Sequence, residues 1–264
     1  MIYCNGDSFT AGDELGDDII PGHPGLLDYD SPPSIRKIYC DWTSNSHNHN
    51  TLTGVFRKQN LKNLINLGLQ RSWPTKLGHL LETTVVNNAN SGASMDQIAR
   101  TTVVDLLRLI KTNKDITVFI GLTSEVRFEV GQPFDHWYSV LPQNSDIAPN
   151  KDTAAIAIAK TVIETDYHNL VNFYKNVIYI KDFCAIHDIK IYFLSPFSLN
   201  KATEERCRVH TDLKEMVEYA DLKCELIMLD VAAKLRTGVY CSAGHFSETV
   251  HDEVARLLYE KIIK

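Results

Sequence analysis

The residues best suited to chemistry lie near the N-terminus, where Gly6-Asp7-Ser8 ends a short apolar run. A serine on a tight turn after a strand stands at the mouth of the following helix. Free backbone N–H groups and the helix dipole favour a developing negative charge there, so the position suits a serine nucleophile. Gly, Asp and Ser are also common turn residues, and the tripeptide alone favours an ordinary turn.

The C-terminal part of the chain offers a base for this serine. A serine hydroxyl is a poor nucleophile until an imidazole within hydrogen-bond reach takes its proton. Histidine suits this role because its pKa lies near working pH. His245 precedes the predicted last helix and His251 lies inside it. We interpret His251 as structural, and His245 taken alone would be an ordinary residue at a helix entry.

The composition is that of an ordinary globular protein. The chain has 264 residues, of which 44% are hydrophobic and 23% charged, and its net charge is −6. The length suits one large domain with a sizeable core. The negative charge and the lack of a basic stripe argue against nucleic-acid binding. We expect no signal peptide and no membrane span, because the sequence has no basic segment followed by a long apolar run.

Neither the cysteines nor the histidines are spaced like metal ligands. There is no CxxC pair, and scattered cysteines of this kind predict reduced thiols. His47 and His49 stand in a polar stretch, where a solvated loop is favoured over a metal site. We therefore predict no metal centre. The six cysteines are Cys4, Cys40, Cys184, Cys207, Cys224 and Cys241.

Apolar periodicity predicts strands that alternate with helices. Short apolar runs predict strands at residues 2–4, 84–87, 116–120, 189–194 and 226–229. Helical spacing predicts helices at residues 73–81, 154–187 and 203–220, after a capping box at Ser94-x-x-Gln97, and after Ser247. Such alternation implies a parallel sheet covered on both faces. We therefore predict one α/β domain over residues 1–264, a three-layer α/β/α sandwich with a mainly parallel, flavodoxin-like sheet of about five strands.

Two polar stretches interrupt this pattern. Residues 13–71 form a long segment with several prolines, and residues 131–153 combine polar residues with aromatics and prolines. Irregular segments of this length inside a compact domain are often lids or binding insertions. We interpret both as insertions. The sequence leaves open whether residues 13–71 close over a site or pack against another subunit.

Three of the predicted turns follow strands. They are Gly6-Asp7-Ser8, Ser91-Gly92 and Gly121-Leu122-Thr123. Parallel sheets bind ligands outside the carboxyl ends of their strands. We therefore expect the three turns to meet at one edge of the sheet.

Four sequence blocks stand in order along nearly the whole chain. They are Gly6-Asp7-Ser8-Phe9-Thr10-x-Gly12, then Ser72-Trp73-Pro74-x-x-Leu77 with Asn88-Ala89-Asn90-Ser91-Gly92, then Gly121-Leu122-Thr123-Ser124, and last Gly244-His245-Phe246-Ser247-x-x-x-His251. Together these blocks resemble the SGNH (GDSL-type) hydrolase family. The resemblance is strongest to short, signal-less members from bacteriophage and bacterial genomes, which implies a cytoplasmic or virion-associated protein.

The resemblance implies roles for several residues. Ser8 is the expected nucleophile and His245 its base. The expected oxyanion hole consists of the backbone N–H groups of Ser8 and Gly92 and a side-chain donor at Thr123. One such donor typically lowers the barrier by roughly 3–4 kcal/mol. Asp7 is expected to brace the turn beside Ser8.

Two positions depart from the family pattern. Thr123 stands where the family has asparagine, so Thr123 can donate, Ser124 can substitute, or the hole can rest on two backbone donors. Ser242 stands where the family has the aspartate that orients the histidine. A backbone carbonyl can then orient His245, or a distant acid can reach it. The candidate acids are Asp13, Glu14 and Glu125.

One further residue lies just beyond the third block. Arg127 can bind a carboxylate or phosphate of a substrate, or it can be an ordinary surface arginine. Asp7, Ser124 and Arg127 are therefore accessory candidates.

These features predict a serine ester hydrolase that works through an acyl-enzyme. We expect it to act on small acyl esters, such as O-acetyl groups of a polar or carbohydrate substrate, with no metal or cofactor and no nucleic-acid or membrane partner. The polar insertions lack the apolar excess of a lipid-binding lid. The alternative is a catalytically impaired binding protein on the same scaffold. A phosphate binder is disfavoured because the chain has no P-loop and no GxGxxG after a strand. The acyl group, the leaving group and the oligomeric state stay open.

Overall fold

The computed structural model describes residues 1–32, 42, 51–132, 136–140, 166–197, 200–241 and 245–263. Within these residues the strands are β1 (Ile2–Asn5), β2 (Val85–Asn87), β3 (Thr117–Gly121), β4 (Phe128–Gln132), β5 (His136–Val140), β6 (Lys190–Ser195) and β7 (Cys224–Ile227). The helices are α1 (Ser8–Ala11), α2 (Leu52–Arg71), α3 (Trp73–Leu80), α4 (Met95–Leu109), α5 (Asp166–Ile186), α6 (Asn200–Cys207), α7 (Thr211–Ala220), α8 (Met228–Leu235) and α9 (Glu248–Ile262).

Five of the strands form one parallel sheet in the order β2-β1-β3-β6-β7. Counted along the chain, these strands have the order 2-1-3-4-5 of flavodoxin-like sheets. The strands β4 and β5 form a separate antiparallel pair. The predicted parallel sheet of about five strands is therefore confirmed.

The two faces of the sheet each carry a hydrophobic core. Successive side chains of a strand point to opposite faces, so Tyr3 lies in one core while Ile2 and Cys4 lie in the other. Helices α4, α5 and α7 cover the Tyr3 face, and helices α3, α8 and α9 cover the Cys4 face. This arrangement confirms the three-layer α/β/α sandwich.

The segment of residues 13–71 is more regular than the sequence predicts. Its last part is the 20-residue helix α2, so the prediction of an irregular insertion was wrong for residues 52–71. The physical reason is that α2 buries few large side chains. Its buried residues are Gly54, Leu64 and Gly68, and contacts through glycine leave no apolar stripe in the sequence.

Helix α2 approaches the loop after α1 backbone to backbone. A Cβ atom at Gly68 would lie 2.5 Å from the carbonyl oxygen of Gly12. A Cβ atom at Gly16 would lie 2.6 Å from the carbonyl oxygen of Leu64. Such distances leave no space for a side chain. Gly12 also has φ +79°, which favours glycine. The glycines therefore let α2 lie directly on the loop that follows α1.

Other boundaries also differ from the predictions. The predicted helix at residues 154–187 begins at Asp166 within the described residues, and residues 141–165 lie outside them. The second predicted insertion begins in the β4–β5 pair. The predicted strand 226–229 lies two residues earlier, because α8 starts at Met228 directly after β7. None of the helices in the described parts of the chain is long and apolar enough to span a membrane.

Candidate active site

The turn that carries Ser8 is held where β1 ends. The buried side chain of Asn5 donates from Nδ2 to the hydroxyls of Thr101 and Thr102, at 2.8 and 2.9 Å. Its Oδ1 atom accepts from the N–H of Gly6 at 2.8 Å. These bonds attach the end of β1 to helix α4. The chain therefore leaves the strand in a defined direction just before Ser8.

Ser8 is the first residue of the short helix α1. Asp7 caps this helix, and its Oδ1 atom accepts from the N–H of Phe9 at 3.1 Å. Ser8 is buried. Its own N–H donates no hydrogen bond to any residue that the structure describes. Because the first N–H groups of a helix have no intrahelical partner, this N–H can bind an external oxygen.

Two glycines allow α1 to lie close to the sheet. A Cβ atom at Gly6 or at Gly121 would clash with the side chain of Thr10. The side chain of Thr10 therefore occupies the space that these two glycines leave at the ends of β1 and β3. This packing brings the first and third predicted turns together.

The second predicted turn runs beside the first. The N–H of Asn90 donates to the carbonyl oxygen of Gly6 at 3.0 Å, and the N–H of Asn88 donates to that of Cys4 at 2.9 Å. Gly92 has φ +75°, and no heavy atom lies within 4 Å of the place where its Cβ would be. Its N–H donates no hydrogen bond within the described ranges. Gly92 thus offers a second backbone donor next to the Ser8 turn.

The third predicted turn joins the first through Thr123. The Thr123 hydroxyl donates to Oδ2 of Asp7 at 2.9 Å. The Nη1 atom of Arg127 donates to the same Asp7 oxygen at 3.1 Å and to the Thr123 hydroxyl at 2.9 Å. A carboxylate only accepts and a guanidinium only donates, so the hydroxyl proton of Thr123 must point to Asp7. Thr123 therefore braces the Ser8 turn in this structure.

Asp7 is a buried carboxylate with a cation beside it. Its side chain is 3% exposed and that of Arg127 is 19% exposed. Burial raises the pKa of Asp7 above its ordinary value, while Arg127, the Thr123 hydroxyl and the N–H of Phe9 oppose this rise. A buried charge is costly unless it is paired and hydrogen-bonded. Arg127 and Thr123 supply the pairing, so both support the helix cap at Asp7.

His245 lies against a carboxylate from the N-terminal part of the chain. Its Nδ1 atom is 3.2 Å from Oε2 of Glu14, and the Glu14 side chain is 4% exposed. The ring N–H is not aligned on this oxygen, so the contact is an ion pair by distance. Among the described residues, Glu14 is the one carboxylate within ion-pair distance of His245. Residues 242–244 lie outside the described residues, and Ser242 is among them.

The surroundings of His245 favour its protonated form. Burial alone would lower the pKa of His245, but the carboxylates of Glu14, Asp13 and Asp7 outweigh burial and raise it above its usual value. A carboxylate beside Nδ1 also leaves Nε2 as the nitrogen that can take a proton from a nucleophile. Glu14 therefore lies on the Nδ1 side of the ring, away from Nε2.

Aromatic packing joins His245 to the helix of Ser8. The ring of Phe9 lies 5.0 Å from the His245 ring and 5.4 Å from the Phe246 ring, measured between centroids. Phe9 follows Ser8 directly in α1. The described residues include no hydrogen bond between Ser8 and His245, and such bonds are often long in unliganded enzymes. The contact through Phe9 places the two candidates on the same rim.

His251 makes a different kind of contact. Its Nδ1 atom accepts from the N–H of Trp73 at 3.0 Å, and burial lowers its pKa to about 3. The ring is therefore neutral at working pH and joins α9 to α3. This bond supports the structural interpretation of His251. No group of His, Cys, Asp and Glu suited to a metal ion occurs in the described residues.

The residues that hold Glu14 in place are distant from it along the chain. Arg71 of α2 donates to the carbonyl oxygen of Leu15 at 2.6 Å and to Asp18 at 2.8 Å. Arg57 of α2 pairs with the buried side chain of Asp17. These contacts hold the loop on both sides of Glu14. They join residues 40 or more positions apart, so no local pattern could reveal them.

The comparisons with known proteins show similarity in structure alone. No protein-family model matches the chain, and no curated protein matches it in sequence. A solved structure assigned to the lipolytic G-D-S-L family, from Desulfitobacterium hafniense DCB-2, has 12% identity and a TM-score of 0.46, over 98% of this chain and 97% of that one. A lipase/acylhydrolase of Enterococcus faecalis has 15% identity and a TM-score of 0.39, and the match covers 99% of this chain and 94% of that one.

An acetyl xylan esterase of the rumen bacterium Butyrivibrio proteoclasticus has 10% identity and a TM-score of 0.48. The match covers 99% of this chain and 63% of that one. The structural neighbours are thus GDSL-type lipolytic proteins and carbohydrate esterases. The chemistry proposed below rests on the residues of this chain, because similarity at this distance describes only the general course of the chain.

Proposed function

We propose that the protein is a serine ester hydrolase that uses Ser8 as nucleophile, His245 as base and Glu14 as the acid beside His245. The observation that carries this proposal is the contact between His245 and Glu14 on the rim where Ser8 starts α1. A buried carboxylate on Nδ1 stabilises the imidazolium that forms when Nε2 takes a proton. Glu14 thereby fills the role that Ser242 cannot fill.

The reaction follows from these positions. His245 takes the proton of the Ser8 hydroxyl while the serine oxygen attacks the ester carbonyl carbon. The negative charge that develops on the carbonyl oxygen is stabilised by the N–H groups of Ser8 and Gly92. The imidazolium then gives its proton to the departing alkoxide, which leaves an acyl-enzyme. Water, activated by His245, releases the acid and restores Ser8.

The oxyanion hole of this proposal consists of two backbone donors. Thr123 can contribute a third only by giving up its bond to Asp7. A missing side-chain donor typically costs a factor of about 10² to 10³ in kcat. We therefore propose a slower enzyme than one with an asparagine at this position, and Ser124 stays an untested substitute.

The proposed substrates are small acyl esters of a polar or carbohydrate alcohol, with O-acetyl esters first. Polar residues stand in the neighbouring loops: Asp13 follows α1, Asn90 and Ser91 precede Gly92, and all three line one cavity. Hydroxyl groups of a sugar can bond to such side chains, whereas a long acyl chain cannot. No metal or cofactor takes part in this scheme.

Labelling of the nucleophile tests the proposal. A fluorophosphonate probe is applied to the wild type, to Ser8→Ala, to His245→Ala and to the control variants Ser31→Ala and His79→Ala, and labelled peptides are identified by mass spectrometry. We expect label on Ser8, slow labelling in His245→Ala and normal labelling in both controls. An ester panel with O-acetyl sugars follows. A folded wild type that takes no label at Ser8 would contradict the proposal and favour a binding protein on the same scaffold.

A further inference from the structure

A cavity of about 200 Å³ lies beside the candidate site. One wall is the loop after α1, which includes Asp13 and Glu14. A second wall is formed by residues 89–91, directly before Gly92, and a third by helix α2. Glu14 lines the cavity and also contacts His245, so the cavity shares one residue with the proposed site. A space of this size and place suits one small ring next to the reacting ester.

Residues 61–69 of α2 form an aliphatic wall of the cavity. Leu61 and Ile65 stand one helical turn apart and are 48% and 54% exposed, although both are large apolar side chains. Both line the cavity together with the buried Leu64. Helix α2 therefore presents an apolar surface toward the cavity. The C–H face of a sugar ring can pack on such a surface.

The facing wall is polar and acidic. It carries the carboxylates of Asp13, Glu14 and Asp17. Arg57 of α2 pairs with Asp17 and His245 lies against Glu14, so Asp13 is the carboxylate that gives the lining its negative charge. Carboxylates accept hydrogen bonds from hydroxyl and ammonium groups and repel anions.

We propose that this cavity binds the alcohol side of the substrate as a single neutral or positively charged sugar ring, and excludes sugars that carry a carboxylate. The ring packs its C–H face on Leu61 and Ile65, and its hydroxyl or amino groups bond to Asp13 and Asn90. An acyl chain in this place would leave the polar wall without partners, at a desolvation cost. The assignment of the ring to the leaving group rests on the proposed ester hydrolysis.

Binding of sugars without an ester tests the cavity independently of turnover. Methyl glucoside, glucosamine and glucuronate are titrated into the wild-type protein by calorimetry. We expect the first two to bind and glucuronate to bind about tenfold more weakly or not at all. Leu61→Trp fills the cavity and should weaken binding by about tenfold. Leu52→Trp is the matched control, because Leu52 is 91% exposed on the same helix and outside the cavity.

A charge variant covers the case in which Leu61→Trp fails to fold. Asp13→Asn should narrow the difference in affinity between glucuronate and methyl glucoside, because it removes one negative charge from the lining. Asp115→Asn serves as its control, since Asp115 is exposed and does not line the cavity. Equal affinity for all three sugars in the wild type, or loss of binding in Leu52→Trp as in Leu61→Trp, would overturn the proposal.

Kinetics separate this inference from the proposed function. The ratio of kcat/KM for an O-acetylated methyl glucoside to that for methyl acetate should fall in Leu61→Trp and stay constant in Leu52→Trp. If the protein hydrolyses methyl acetate but binds none of the sugars, the proposed hydrolase activity is supported and the assignment of the cavity is refuted. Sugar binding that Leu61→Trp removes, in a protein that hydrolyses no ester, would support the cavity and refute the hydrolase. A loss in Leu61→Trp that grows with acyl length would also refute the assignment to the alcohol side.

Discussion

The Nδ1 atom of His245 lies 3.2 Å from the Oε2 atom of Glu14. The two residues come from opposite ends of the chain and meet on the rim that carries Ser8. Glu14 has φ +67°, an uncommon conformation for a residue with a side chain. Such conformations persist when the surrounding structure holds them, and they cluster at active sites. Contacts of α2 with the residues around Glu14 supply that support.

Replacement of the acid tests its role in the rate. Glu14→Gln keeps the size of the side chain and removes its charge, so the imidazolium of His245 loses its nearest anion. We expect kcat/KM for an acetate ester to fall by roughly 10² to 10⁴. The acid limb of the pH profile should also move to lower pH, because Glu14 raises the pKa of His245. Asp13→Asn should shift this limb less. An unchanged limb in Glu14→Gln would contradict the role of Glu14.

The same pair predicts a pH dependence of folding stability. The pKa of His245 is raised in the folded protein, so the folded state binds this proton more tightly than the unfolded chain. This contribution is fully present below the unfolded pKa of histidine and is lost as the pH rises through the raised value. The free energy of unfolding from urea titrations at several pH values should therefore decrease over this window in the wild type. In Glu14→Gln the free energy of unfolding should decrease less over the same pH window. A steeper decrease in this variant would show that the pair does not cause the pH dependence.

Removal of Arg127 should destabilise the protein through Asp7. Arg127→Met leaves a buried carboxylate without its cation, and breaking a buried pair on one side typically costs about 3–5 kcal/mol. Asp7→Asn in the same chain removes the unpaired charge, so the double variant should recover part of the loss. Chemical unfolding of the two single variants and the double variant measures this coupling. Additive losses would show that Arg127 stabilises the protein by some other contact.

Thr123→Val distinguishes a brace from an oxyanion donor. Valine has nearly the same shape but no hydroxyl, so Asp7 loses one hydrogen bond. We expect a loss of about 1–3 kcal/mol in the free energy of unfolding, with a fall in kcat well below the 10² to 10³ typical of a lost oxyanion donor. Thr123→Ser should restore both. A large fall in kcat at unchanged stability would assign Thr123 to the oxyanion hole instead.

The glycine contact between α2 and the loop after α1 predicts that Gly68→Ala lowers stability, although this substitution usually stabilises a helix. Alanine in place of glycine normally stabilises a helix by about 1 kcal/mol. In Gly68→Ala the new Cβ would meet the carbonyl oxygen of Gly12, and overpacking of this kind costs about 1–3 kcal/mol. We therefore expect lower stability and lower activity, since α2 holds the loop of Glu14. Asn66→Ala, exposed on the same helix, should be neutral or slightly stabilising, and stabilisation by Gly68→Ala would contradict the contact.

Much of the fold could be predicted from the sequence because its signals are local. The apolar run of β1, the β-branched run of β3 and the cap of α4, where Ser94 accepts from the N–H of Gln97 at 3.2 Å, depend on neighbouring residues. Alternation of such segments predicts a parallel sheet with helices on both faces. The order of strands then places the turns of Ser8, Gly92 and Thr123 at one edge, where hydrogen bonds join them.

Only the tertiary structure shows which side chains contact His245 and the turn of Ser8. Asp13, Glu14 and Glu125 were equivalent candidates in the sequence, because nothing local says which carboxylate folds back to a histidine at the far end of the chain. Thr123 was an expected oxyanion donor, but in the structure its hydroxyl donates to Asp7. Helix α2 was hidden because its contacts use glycine and long-range arginine pairs, which leave no periodic pattern. Periodicity records which face of an element is buried, while the choice between chemically similar partners depends on distances between segments that only the folded chain brings together.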